Sequence, residues 1–70
     1  MTIDPQVLID MVKELTWAEA RYRAVAAGHL RDASQTSSTD LAVACKNAAR
    51  YATERADAID ALLKKARKAQ

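Results

Sequence analysis

The chain has 70 residues, half of them apolar by type, with 11 Lys and Arg against 9 Asp and Glu and a formal net charge of +2. That length allows one domain at most, and domains this small bury so little surface that they usually need a staple. A single cysteine, Cys45, excludes an internal disulfide, and no cluster of Cys and His offers a structural metal site, so oligomerisation is the staple that remains.

There is no phenylalanine, one glycine and one proline, and much of the apolar content is alanine. Alanine is the best helix former, so the composition predicts an all-α chain. The mixed, nearly balanced charge is a weak nucleic-acid signal. No apolar run approaches the ~20 residues of a membrane span. Met1-Thr2-Ile3-Asp4 lacks the basic and apolar regions of a secretory signal, and the free cysteine fits a reducing compartment. A cytoplasmic location is expected.

Asp4-Pro5 reads as a helix start. Asp4 can cap the free N–H groups, and proline suits the first helical position because it has no N–H to leave unpaired. Ile3 and Leu8 have the spacing of a hydrophobic staple. The first helix is predicted over 5–33, with Gly28 loosening its last turns or permitting a close backbone approach. At 100° per residue, Leu8, Met11, Val12, Leu15, Ala18, Tyr22 and Val25 form one stripe. Ile9, Trp17, Ala20, Ala24 and Ala27 fall on the far side. One helix thus carries two apolar faces, of which a partner helix in the same chain can cover only one.

The only polar run of small residues, Ser34 to Thr39, predicts a turn over 34–38. Ser37 and Asp40 have capping-box spacing. The second helix is predicted over 39–67. Its inner stripe is Leu41, Ala44, Cys45, Ala48, Tyr51, Ala52, Arg55, Ile59, Leu62, Leu63 and Ala66, and its back is charged. A short link makes the helices antiparallel neighbours. Folding near Thr36 pairs His29 with Cys45, Tyr22 with Tyr51, Leu15 with Ala58 and Ile59, and Met11 with Leu62. A lone hairpin encloses no core. Two hairpins related by a two-fold axis make a four-helix bundle, which does.

His29 and Cys45 are the one nucleophile–base candidate, but a two-helix chain offers them no sheltered cleft and no oxyanion hole. No catalytic residue, cofactor site or metal site is expected, and the chain reads as a non-enzyme. Glu19–Arg23, Arg50–Glu54 and Asp60–Lys64 are spaced to pair along their helices. Lys64, Lys65, Arg67 and Lys68 suit a helix C-terminus. Arg55 interrupts the inner stripe, and its expected partner is Glu19 in a buried charge pair across the hairpin, or an acid from a second chain, fixing register. Ile9, Trp17, Ala20, Arg21 and Ala24 form the candidate face for a second copy or an external protein, with Trp17 as anchor.

The Asp4-Pro5 start, the segment Trp17-Ala18-Glu19-Ala20-Arg21-Tyr22, the single polar turn and the Ala-rich second helix resemble small bacteriophage and prophage helical-hairpin proteins. Members of that group bind and inhibit host proteins. One class, the quorum-sensing anti-activators, dimerises and blocks a host transcription regulator. The resemblance implies a homodimeric regulator with a protein target. Two other expectations stand beside it. One is a nucleic-acid-associated hairpin dimer, disfavoured because the back of helix 2 alternates in sign. The other is an accessory or assembly subunit of an enzyme.

Overall fold

The structure, a computed structural model, describes residues 4–69. It contains two helices, α1 (Pro5–Gln35) and α2 (Thr39–Ala69), packed side by side as an antiparallel hairpin. The rod is 54 Å long and 14 Å across, measured over Cα atoms. No described helix is long and apolar enough to cross a membrane.

Helix α1 begins as its sequence dictates. The Asp4 carboxylate accepts a hydrogen bond from the Gln6 N–H at 2.8 Å, and Pro5 occupies the first turn. The expected staple between Ile3 and Leu8 lies outside the described residues. Gly28 does not interrupt the helix, which continues two residues beyond the predicted end. A Cβ built on Gly28 would meet only the Arg31 guanidinium at 3.8 Å, so no close backbone approach depends on it.

The turn is three residues, Thr36 to Ser38, shorter than the sequence suggests. The Thr36 N–H donates to the Asp32 carbonyl at 3.1 Å, and the Thr36 hydroxyl accepts from the Ser38 N–H at 3.2 Å. Ser38 caps α2, in place of the expected Ser37: its hydroxyl accepts from the Leu41 N–H at 3.3 Å. The cap therefore lies one residue later than the Ser37–Asp40 spacing indicated. Asp40 instead adds negative charge to the first turn, which the helix dipole favours.

Burial follows a strict alternation of three and four residues on both helices, the signature of a seam with a 3.5-residue period. On α1 the seam is Leu8, Val12, Leu15, Glu19, Tyr22, Ala26, His29 and Ala33. On α2 it is Ala42, Cys45, Ala49, Ala52, Ala56, Ile59, Leu63 and Ala66. All of these are buried or half-buried except Tyr22, which lies at the edge of exposure. The buried core consists of five alanines and Leu63. Large aliphatic side chains fill the seam toward the termini, and alanines line it toward the turn, where small residues let helices approach closely.

The seam corrects the expected inner stripes. Leu8, Val12, Leu15 and Ile59 lie on it as predicted. Met11, Val25, Leu41, Tyr51, Arg55 and Leu62 do not; all six are exposed, Leu41 and Tyr51 by more than half. The stripes drawn from hydrophobicity merge the seam with the flanking face on one side. Toward the turn the physical reason is volume, since alanine occupies the close contact and Val25, Leu41 and Tyr51 stand beside it; toward the termini Val12 and Leu63 hold the seam, and Met11 and Leu62, one residue earlier, stand outside it.

Candidate functional site

That flanking face is the most distinctive surface of the molecule. Two grooves run along it. The one toward the turn has a volume of about 560 Å³ and is lined by Trp17, Ala18, Arg21, Tyr22, Val25 and His29 from α1 and by Ala48, Tyr51 and Ala52 from α2. The one toward the termini has a volume of about 520 Å³ and is lined by Val7, Asp10, Met11, Glu14 and Leu15 with Leu62 and Ala66. Both grooves have apolar walls and floors. Of the lining of the first, the alanines at positions 18, 48 and 52 are buried or half-buried, while Tyr22, Val25 and Tyr51 are exposed.

Two arginines stack on aromatic rings at this surface. The Arg21 guanidinium lies 5.5 Å from the centroid of the Trp17 ring, and Arg55 lies 5.2 Å from that of Tyr51. Arg55 also donates two hydrogen bonds to the Tyr51 hydroxyl, at 2.8 and 3.0 Å, which raises its pKa above the ordinary arginine value. The expected buried pair of Arg55 with Glu19 does not form. Arg55 is exposed, and a tyrosine one turn earlier on its own helix takes its donors.

Glu19 does sit on the seam, half-buried, but its partner is Arg23 at 3.1 Å. Arg23 then bridges to Asp57 on α2 at 3.3 Å, the one cross-helix ion pair among the described residues. Its pKa is raised by the Glu19 hydrogen bond first and by Asp57 next. Lys64 pairs with Asp60 at 3.1 Å, as its spacing predicts. The hydrogen bond from Lys64 holds the Asp60 carboxyl below the usual aspartate range against partial desolvation, with smaller help from Glu19 and Arg23. Arg50 does not pair with Glu54; it donates to Asn47 at 2.8 Å. None of Arg23, Asp57, Asp60 and Lys64 lines either groove, whose own charges are Asp10, Glu14 and Arg21.

Of the candidate partner face, Ile9, Trp17, Ala20, Arg21 and Ala24 are all exposed, Trp17 by 62%. Trp17 was expected on a face remote from the hairpin contact. Its ring instead borders the groove shared with Tyr22 and Tyr51. The two apolar sectors of α1 are therefore contiguous, meeting at Trp17. The sequence reading left out Val7, Leu30 and Val43, each at least half exposed. Val7 had a signal: it precedes Glu14 by one heptad and belongs to the stripe Val7, Met11, Glu14, Ala18, Arg21 and Val25 that lines both grooves. Leu30 and Val43 belong to neither apolar stripe drawn from periodicity.

His29 and Cys45 are both half-buried on the seam near the turn, and no hydrogen bond joins them. Among the described residues, no group of three or more His, Cys, Asp and Glu side chains is placed to hold a metal ion. No protein-family model matches the chain, and no curated protein or solved structure is significantly similar to it.

Proposed function

We propose that this hairpin is a non-enzymatic, homodimeric protein-binding module: a small regulator or inhibitor that docks on a host protein, such as a transcription regulator, and blocks it. One observation carries the reading. The hairpin leaves large apolar side chains uncovered, in two adjoining sectors. One is the grooved face with Met11, Tyr22, Val25, Tyr51 and Leu62. The other is the back of α1 with Ala20 and Ala24, and Trp17 stands between them. Exposed apolar patches of this kind mark interfaces, and Trp, Tyr and Arg are the residues that anchor them. A second copy takes one sector, and the target takes the other. The likeness to phage and prophage hairpin inhibitors points to a host-directed role.

The test is affinity capture of host proteins with the wild type and with Trp17→Ala. A target retained in stoichiometric amount by the wild type and lost from Trp17→Ala supports the reading. Identical partner lists for both remove Trp17 as the anchor.

A second reading draws on the stacks of Arg21 on Trp17 and Arg55 on Tyr51, since bases stack on aromatic and guanidinium planes. In it the dimer binds RNA or DNA. Asp10 and Glu14 on the same face oppose it by repelling phosphates. Salt-sensitive retention of nucleic acid in the same capture would favour it.

A further inference from the structure

We infer that the grooved face is covered by a second copy of the chain running antiparallel, with α1 lying on α1 across a two-fold axis at Ala18, so that Glu14 of each copy pairs with Arg21 of the other. This inference rests on the homodimer proposed above and specifies its docking.

The stripe of α1 that lines both grooves reads Val7, Met11, Glu14, Ala18, Arg21, Val25. It is apolar at both ends, acidic before the centre, basic after it, and smallest in the middle. Reversed upon itself about Ala18, it becomes its own complement. Met11 and Val25 lie seven residues either side of Ala18, about 10 Å along the helix axis, so each meets the other's equivalent. Glu14 lies four residues before Ala18 and Arg21 three after, an axial offset of about 1.5 Å, which long side chains span easily. Alanine at the axis lets the two helices approach closely. The same rotation lays the groove near the turn over the groove near the termini, which brings Tyr51 against Leu62 of the second copy.

The parallel arrangement fails on charge. It stacks α1 of one copy on α2 of the other at the same height along the rod. Arg21 shares its height with Tyr51 and Glu14 with Leu62, since each pair lines a common groove. Parallel docking would therefore place Arg21 beside Tyr51 and Arg55 of the second copy, two cations around one ring, and set Glu14 on a leucine. Antiparallel docking gives Glu14 and Arg21 opposite partners and leaves Arg55 on the Tyr51 of its own chain.

The exposed area leaves room for this occupant. The chain exposes 5411 Å², and a compact monomer of this mass exposes about 4,300 Å². A rod 54 Å long and 14 Å across carries the difference along its sides, where the ~800 Å² that each partner contributes to a stable interface can be buried. With a core of five alanines and one leucine, the hairpin needs that cover to stay folded. A second copy is present wherever the chain is made. In this dimer Ala20 and Ala24 stay outside the contact, with Trp17 at its border, free for the target.

The test is a charge swap read by sedimentation equilibrium. Glu14→Arg alone and Arg21→Glu alone should each weaken dimerisation about ten-fold or more, because every dimer then carries two like-charge contacts. The double variant E14R/R21E should recover the wild-type dissociation constant, and mixing the two single variants should give a heterodimer. Both positions are exposed and off the seam, so any loss of helical content by circular dichroism in the single variants should follow the loss of dimer and be regained in the double variant. As an independent check, Ala18→Cys in a Cys45→Ser background should be joined to its copy by a short bis-maleimide. Single variants that dimerise like the wild type, a folded double variant that does not recover, or no cross-link at position 18 would overturn the antiparallel docking while leaving a dimer in place. A wild type that stays monomeric overturns the dimer as well.

Discussion

Leu63 is the only large side chain that the described residues enclose fully, and it sits where the seam widens from alanines to aliphatics. Its removal leaves a cavity that short neighbours such as Ala66 cannot refill, so Leu63→Ala should lower unfolding free energy by about 2–4 kcal/mol in a denaturant titration. An unchanged midpoint would show that the seam is not where stability resides. Arg55 teaches the complementary lesson. In the sequence it interrupts an apolar row and invites a buried partner, yet the tyrosine four residues before it was a local partner in plain view. Glu19 and Arg23 were legible as a pair for the same reason: spacing along one helix is written in the chain. The bridge from Arg23 to Asp57 was not, because it depends on how the two helices are rotated against each other.

At the scale of the element, the two helices, the Asp4-Pro5 start and the polar turn were all legible, since capping chemistry and alanine content act locally. The rotation of α2 was not. Alanines occur on every side of it, at positions 42, 44, 48, 49, 52, 56 and 58, so hydrophobic periodicity has no contrast to align. The large apolar residues Leu41, Tyr51 and Leu62 then draw the stripe toward themselves, while alanines make the contact toward the turn and Ile59 and Leu63 make it toward the termini. This predicts a sharp size limit on the seam. Ala56 is fully buried, and Ala56→Leu should force the helices apart at a cost of about 1–3 kcal/mol, seen as a lower melting temperature. The same change at Ala58, exposed on the same helix, should be nearly silent. Equal effects at both positions would refute the assigned rotation.

Among the described residues the molecule is a thin rod with a grooved face and an exposed tryptophan, Trp17, at the border of the groove near the turn. The excess of apolar surface was readable in the sequence, because α1 has more greasy positions than one neighbour can cover. The sequence reading placed the second sector opposite the first; the structure brings the two together at Trp17, whose ring lies along the groove. In the proposed dimer folding and association are coupled, so the melting temperature should depend on protein concentration. The most direct measurement is therefore the mass in solution across a range of micromolar concentrations, taken alongside the thermal melt. We predict twice the mass of one chain, with a melting temperature that climbs as concentration rises. A stably helical species of one chain's mass, melting at the same temperature at every concentration, would contradict the account.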